Sequence, residues 1–152
     1  KKGELITHHK DKAVLTFLKV EDILETDIPV VKPDMTLGDM VKIISNSTRN
    51  IFPVVDDKGV LLGLVYLNDI RNIIFRPELY DRFKVEKIMI GPPAKININM
   101  PMEKVMNIFE DTKAWNLPVV DDNGIYKGII SQSTVFNAYR EILLEHYSEM
   151  DE

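Results

Sequence analysis

The chain is built from one pattern of 65 residues that is written twice. Across residues 52–65 and 117–130, seven of fourteen positions are identical. The same shift aligns LKVEDIL, residues 18–24, with FKVEKIM, residues 83–89, without a gap. Because self-similarity at a fixed period means a repeated structural unit, we predict one repeat over residues 18–82 and a second over 83–147. Residues 1–17 are then a leader, and residues 148–152 a tail.

Each copy contains a helix with one apolar stripe. Four residues of each copy have the i, i+3, i+4, i+7 spacing of an amphipathic helix: Leu37, Met40, Val41 and Ile44, then Met102, Val105, Met106 and Phe109. The start signals differ, since Thr36 with Asp39 resembles a capping box, whereas Pro101 suits the first helical position. Four methionines on or beside the stripes are predicted to lie in the core: Met35, Met40, Met102 and Met106.

A β-hairpin is predicted after each of these helices. The β-rich runs 52–55 and 60–66 flank a short polar insert that ends in Gly59, and runs 117–120 and 125–130 flank one that ends in Gly124. Glycine supplies the positive φ that such turns require. The doubled aspartates are interpreted as turn residues, because Asp side chains hydrogen-bond nearby backbone groups: Asp56-Asp57 and Asp121-Asp122.

The remaining elements set the fold class. A second helix is predicted at residues 68–75 and 133–146, and a short strand before each amphipathic helix at residues 29–31 and 94–97. Each copy therefore runs strand–helix–strand–strand–helix, which is an α+β pattern with a small mixed sheet. Neither copy is expected to bury its apolar faces alone, so the two repeats should pack together with pseudo-symmetry.

Composition narrows the classes of function. Nineteen basic and 24 acidic residues give a net charge of −5, which argues against a nucleic-acid partner. The absence of cysteine excludes disulfides and thiolate chemistry. His8 and His9 have no third ligand, so no metal site is expected. The apolar runs are far shorter than the ~20 residues that span a bilayer, and Lys1 stands where Met would begin a chain. We expect a soluble fragment of a longer protein.

The repeated motifs resemble those of the CBS-domain pair, also called a Bateman module. The first copy reads FPVVD at residues 52–56 and GLVYLND at 63–69, and the second reads LPVVD at 117–121 and GIISQST at 128–134. The resemblance extends over nearly the whole chain from Leu18. It implies a homodimer formed through the CBS helices, no required cofactor, and clefts between the repeats that bind AMP, ADP or ATP.

The leader resembles a different part of a known family. GELITHHKDKAVLTFLKVEDIL, residues 3–24, is similar to the stretch that joins the membrane domain to the CBS pair in bacterial CLC chloride channels and transporters. This implies a covalently attached membrane channel domain, with the present chain in the cytoplasm at the cytosolic face of the cell membrane. Magnesium transporters, IMP dehydrogenases and stand-alone proteins also carry CBS pairs, so parents of those kinds stay open.

The CBS resemblance also implies ligand residues where the second hairpin strand meets the next helix. A Ser or Thr hydroxyl and the helix N–H groups hold phosphate, and an Asp one turn later accepts hydrogen bonds from the ribose hydroxyls. The first copy has Tyr66 and Asp69 at these positions, and the second has Ser131 and Thr134. The adenine-edge and strand positions complete the candidate set: Ile28, Pro29, Pro93, Ala94, Pro53 and Pro118.

Each copy keeps only half of the ligand pattern, so structural interpretations stand beside the functional ones. Asp69 suits the first turn of a helix and Ser131 suits an N-cap, while the Tyr66 ring either fills the phosphate space or stacks on a base. The adenine-edge residues are alternatively core strand residues. Trp115 is assigned to core or dimer packing, and four basic residues to a solvated face: Arg71, Arg76, Arg82 and Lys84.

The sequence leaves two functions open and argues against a third. The leading hypothesis is a regulatory CBS pair of a chloride channel or transporter that senses adenine nucleotide. The second is a structural dimerisation module without a ligand, which Tyr66 and Thr134 favour. Enzymatic activity is not expected, because no catalytic triad spacing or glycine-rich phosphate loop is present, although the parent could be an enzyme of the IMP dehydrogenase type.

Overall fold

The computed structural model describes residues 15–151, with side chains through residue 145. These residues form two compact units. Unit A consists of residues 26–92 with 122–126, and unit B consists of the described residues 15–25, 93–121 and 127–151. His8 and His9 lie outside the described residues, as does most of the leader. Within residues 15–151 no helix combines the length and the apolar character that crossing a bilayer requires.

Unit A is built on an antiparallel hairpin. Its elements in chain order are helix α1 (Leu37–Ser45), strands β1 (Ile51–Val55) and β2 (Leu61–Tyr66), helix α2 (Leu67–Ile70), a 3-10 helix (Pro77–Leu79) and helix α3 (Val85–Ile88). The register pairs Ile51 with Tyr66. Val31 forms a parallel bridge to Val54 on the other side of β1, and its N–H donates to the Pro53 carbonyl at 2.9 Å.

Unit B repeats this plan with a longer final helix. Its elements are a 3-10 helix (Val20–Asp22), strand β3 (Ile96–Asn97), helix α4 (Met102–Thr112), strands β4 (Asn116–Val120) and β5 (Tyr126–Ser131), and helix α5 (Gln132–Asp151). The sheet order is β3-β4-β5, and β3 runs parallel to β4 with Ile96 opposite Val119. The predicted α+β fold with small mixed sheets is confirmed.

The amphipathic helices lie where their spacing places them. Leu37 and Met40 of α1 are buried, and so are four residues of α4: Met102, Val105, Met106 and Phe109. Thr36 and Asp39 form the predicted capping box, because each side chain accepts the other's backbone N–H at 3.1 Å. Pro101 is the N-cap of α4 rather than its first residue, so the predicted start was early by one position.

Each unit has its own hydrophobic core. The core of unit A is centred on Leu37, Met40 and Phe52, and that of unit B on Phe109 and Leu117, all almost fully buried. Burial of one such side chain contributes about 1.5–3 kcal/mol. The core assignment of the four methionines is confirmed, with Met35 partly buried against the core of unit A.

The doubled aspartates tip the hairpins, as predicted. The Asp56 carboxylate accepts the N–H groups of Lys58 and Val60, both at 2.9 Å. Of these backbone hydrogen bonds, the one from Val60 contributes most to a lowered pKa of Asp56. Gly59 and Gly124 have φ of 89° and 80°, which is the left-handed region that glycine enters without steric cost. The Asp56 carboxylate therefore stabilises the turn of the first hairpin.

Three predicted elements are clearly shorter than expected. The helix predicted at residues 68–75 ends at Ile70, and residues 71–75 continue as turns. The branched side chains of Ile73 and Ile74, followed closely by Pro77, disfavour further helix. The strand predicted at residues 29–31 is reduced to the single bridge at Val31, and the one predicted at residues 94–97 covers only Ile96–Asn97. Residues 71–75 and the residues before Val31 therefore have irregular backbone.

The segment that leads each sequence repeat packs in the unit that contains the other repeat's hairpin. In unit B, Glu25 pairs with Ile129 through hydrogen bonds of 2.8 and 3.0 Å. In unit A, Ile90 pairs with Leu64 through two hydrogen bonds of 2.8 Å. Glu25 and Ile90 occupy equivalent positions of the repeat, so the two units contain the same exchange.

The repeated glycine of the second hairpin strand makes room for that segment. A Cβ on Gly63 would lie 2.9 Å from the Ile90 carbonyl oxygen, and one on Gly128 would lie 2.8 Å from that of Glu25. Both separations are closer than a carbon and an oxygen can pack. Glycine is thus required by the close approach of two backbones.

Candidate functional site

In unit A, β2 passes directly into α2 at Tyr66, and we call residues 66–69 junction A. Tyr66 is the N-cap of α2, with extended backbone at φ −100° and ψ 130°, and its side chain makes no capping hydrogen bond. The ring is half-buried. Burial first, and the charge of Asp69 second, raise the pKa of the Tyr66 hydroxyl above its usual value of 10.0. A phenol is already neutral near pH 7 at that usual value.

Asp69 is the acidic group of junction A. It lies in the first turn of α2 and is exposed. Within residues 15–151 its carboxylate has no hydrogen-bond or ion-pair partner. A carboxylate in this state can accept two hydrogen bonds from neighbouring hydroxyls. The neutral phenol of Tyr66 can donate one.

In unit B, β5 passes into α5 at Ser131, and we call residues 131–134 junction B. The Ser131 hydroxyl oxygen accepts the N–H of Thr134 at 3.1 Å, as an N-cap does. The same hydroxyl donates to Thr134 Oγ1 at 2.7 Å and lies 3.3 Å from Ser133 Oγ. The N-cap interpretation of Ser131 is therefore correct, and its hydroxyl is occupied within the junction.

A third residue of unit B joins this network. Thr134 Oγ1 donates to Glu25 Oε2 across 3.3 Å, a long hydrogen bond between partly buried groups. Sequence reasoning did not select Glu25. The alignment of the two repeats contained a signal for Glu25. Its equivalent in the second repeat is Ile90, so a charged residue in one copy replaces an aliphatic residue in the other.

The other candidate residues divide evenly between the units. Ile28, Pro29 and Pro53 belong to unit A with junction A, whereas Pro93, Ala94 and Pro118 belong to unit B with junction B. Pro53 and Pro118 are buried in the first hairpin strands, and Ile28 is buried. Pro29 is half-buried, Ala94 packs against the core of unit B, and Pro93 is exposed.

Trp115 is 74% exposed, so its assignment to the core was wrong, and its role in dimer packing stays a prediction. It precedes β4, where its carbonyl accepts the N–H of Gln132. Four basic residues are exposed as predicted: Arg71, Arg76, Arg82 and Lys84. Among the described residues no three His, Asp or Glu side chains are placed to hold a metal ion.

A separate cavity of about 500 Å³ lies in unit B. It is lined by the leader segment around Leu18 and Val20 and by the loop that enters α4 around Met100. None of the ten candidate residues lines it. The cavity and the two junctions are therefore distinct features.

Comparison with known proteins shows the family to which the chain belongs. A family model described as the CBS domain matches residues 20–76 and 85–141. The crystal structure of CBSX2 in complex with AMP is 25% identical, with a TM-score of 0.68, and the match covers 82% of this chain and 97% of that one.

Two proteins of Methanocaldococcus jannaschii are similar in sequence. An uncharacterised protein is 30% identical over 127 residues, covering 82% of this chain and 45% of that protein. An inosine-5'-monophosphate dehydrogenase is 24% identical over 113 residues, and the match covers 74% of this chain and 22% of that protein. The chain spans less than half the length of either relative. Two matched segments that fill most of the chain, and a fold shared with a solved example, give one conclusion: the chain belongs to the CBS-domain family and carries two copies of the domain.

Proposed function

We propose that this chain is the regulatory module of a larger protein and that it binds an adenine nucleotide at its strand-to-helix junctions, first of all at junction A. The observation that carries the proposal is the exposed Asp69 carboxylate, which has no partner within the described residues and stands at the start of α2. The AMP complex of CBSX2 supports the choice of ligand.

The chemistry assigns a role to each residue of junction A. Asp69 accepts hydrogen bonds from both ribose hydroxyls, and hydrogen bonds to a charged group contribute about 1.5–3 kcal/mol. The Tyr66 phenol is neutral at pH 7, as it would be at the ordinary pKa of 10.0, so it donates to phosphate without repelling it. Ile28 and Pro29 offer backbone groups to the adenine edge, and Pro53 supports them from within β1.

Junction B is the second proposed site. Ser131 donates to phosphate once its proton turns away from Thr134, and Pro93 and Ala94 offer the adenine edge, with Pro118 within β4. In either junction the nucleotide changes the parent protein only by its differential affinity for the parent's two states. A regulatory module of this kind therefore acts by binding the nucleotide and not by catalysing a reaction.

Calorimetric titration and thermal unfolding with AMP, ADP and ATP test this function. A ligand at 100 times its Kd adds about 2.7 kcal/mol, which raises the Tm of a protein this size by roughly 5–10 °C. Asp69→Asn should weaken binding at junction A by tenfold or more. Asp81→Asn is the matched control, because Asp81 is an exposed carboxylate of the same unit.

An unchanged Tm of the native chain at millimolar concentrations of all three nucleotides would overturn the proposal. Equal effects of the two Asp→Asn variants would remove Asp69 from the site. Binding of one nucleotide in preference to the others would identify the ligand.

The second candidate function is a structural module that dimerises and binds no nucleotide. The observation that favours it is the network of junction B, where the hydroxyls of Ser131 and Thr134 are already satisfied internally. Large apolar side chains are exposed and suit a second copy of the chain: Phe75, Trp115, Phe136 and Leu144. Sedimentation of the native chain and of Phe136→Glu tests this, and a native monomer would exclude it.

Among the parents that stay open, two have specific support. The CLC-like leader favours a chloride channel or transporter, which would place the chain in the cytoplasm at a membrane, whereas the IMP dehydrogenase relative favours a metabolic enzyme. The full sequence of the parent protein distinguishes them. Hydrophobic segments of about 20 residues support the transporter, and a soluble barrel domain supports the enzyme.

A further inference from the structure

We propose that Glu25 supplies, at junction B, the ribose-binding carboxylate that Asp69 supplies at junction A. The inference rests on the proposed function, because it names the acidic residue of the second nucleotide site. It starts from an exchange of residue types between equivalent positions. Junction A has Asp69 on the helix and Ile90 on the paired segment, while junction B has Thr134 on the helix and Glu25 on the paired segment.

The backbone fixes Glu25 in this place. Its N–H donates to Ile129 O at 2.8 Å, and its carbonyl accepts the Ile129 N–H at 3.0 Å. Ile129 lies two residues before the start of junction B, in β5. The missing Cβ of Gly128 allows this approach. Because backbone hydrogen bonds and a close contact hold the segment, the carboxylate is presented to the junction by the fold.

The side chain reaches the position where the helical carboxylate is missing. Glu25 Oε2 is 3.3 Å from Thr134 Oγ1, which is the hydroxyl at the position equivalent to Asp69. Glu25 is partly buried, so part of its hydration is already removed. Thr134 can make one donated hydrogen bond, but a pair of ribose hydroxyls needs an acceptor with two oxygens. Glu25 provides that acceptor.

The test isolates junction B in an Asp69→Asn background, where remaining AMP binding reports this junction. Adding Glu25→Gln should weaken AMP tenfold or more, in line with the loss of charged hydrogen bonds. Adding Glu21→Gln, an exposed carboxylate on the same segment, should leave AMP affinity unchanged. Adding Thr134→Asp to the Glu25→Gln protein should restore binding, because it returns a carboxylate to the helix.

The sugar readout separates ligand reading from a structural role. The Asp69→Asn protein should prefer AMP to 2′,3′-dideoxy-AMP, and Glu25→Gln should abolish this preference. Equal weakening of both ligands by Glu25→Gln, or no weakening at all, would overturn the role of Glu25 while leaving nucleotide binding intact. No AMP binding by Asp69→Asn, when the native chain binds AMP, would overturn only the second site. No AMP binding by the native chain would overturn both proposals.

Discussion

At junction A the carboxylate lies on the helix and is exposed, and the N-cap position holds a half-buried tyrosine that makes no capping hydrogen bond. At junction B the carboxylate arrives from a different segment, and a serine caps the helix. Both junctions have a paired segment and a glycine that makes room for it. The two junctions therefore share the paired segment and differ in which segment carries the carboxylate, Asp69 on the helix of one and Glu25 on the paired segment of the other.

The largest expected effect concerns the shared scaffold. Gly128→Ala should lower the free energy of unfolding by about 2–3 kcal/mol, because the new Cβ meets Leu24 Cγ at 2.7 Å and a carbonyl at 2.8 Å. Gly63→Ala should cost less, about 1–2 kcal/mol, since part of its contact is with the flexible Met89 side chain. Chemical denaturation of each variant measures the difference.

The control for these variants is Gly91→Ala, where an added Cβ meets nothing within 4 Å. Its stability should equal that of the native chain or rise slightly, because alanine restricts the unfolded chain. If Gly128→Ala were as stable as Gly91→Ala, the paired segment would not be held against β5 as the structure shows.

The next effect tests the two helix caps. Ser131→Ala should destabilise the chain by about 1 kcal/mol, because the Thr134 N–H loses its acceptor. Ser131→Thr keeps a hydroxyl and should recover most of that loss. Tyr66 makes no capping hydrogen bond, so Tyr66→Phe should leave cap stability at junction A unchanged. A larger loss for Tyr66→Phe than for Ser131→Ala at pH 7 would reverse the comparison.

The smallest effect is the pH dependence of junction A. The folded-state pKa of Tyr66 is raised above its usual value of 10.0. The neutral phenol therefore favours the folded state below pH 10, and this contribution is lost as pH rises through the raised pKa. The difference in stability between the native chain and Tyr66→Phe should fall above pH 10. A difference that grows with pH would mean that the ionised phenolate is the form stabilised by folding.

Much of the fold followed from short-range patterns. The stripe of α4, the capping box at Thr36 and the turn glycines Gly59 and Gly124 each depend on residues close together in sequence, and each was found as predicted. Turn chemistry and helical periodicity act locally. A single sequence therefore carries them in full.

The exchange of leading segments was not predicted, for a physical reason. Residues 18–24 and 83–89 have nearly the same apolar pattern, so this pattern does not decide which hairpin each segment pairs with. Glu25 was missed because Thr134, its neighbour in space, is 109 residues away in the chain. The exposure of Trp115 was not predicted either. Whether an apolar side chain is buried depends on the residues that pack around it, and its hydrophobicity alone does not determine this.

The pairing of Glu25 with Ile129, and of Ile90 with Leu64, sets an order of assembly during synthesis. Ile90 finds its partner about 26 residues behind it, so that bridge of unit A can close while the second repeat is still being made. Glu25 is made early but must wait for a residue about 104 positions later. Because distant contacts form slowly, the early segment stays uncovered until the last hairpin emerges. A chain interrupted before residue 129 would lose junction B altogether and retain the residues of junction A.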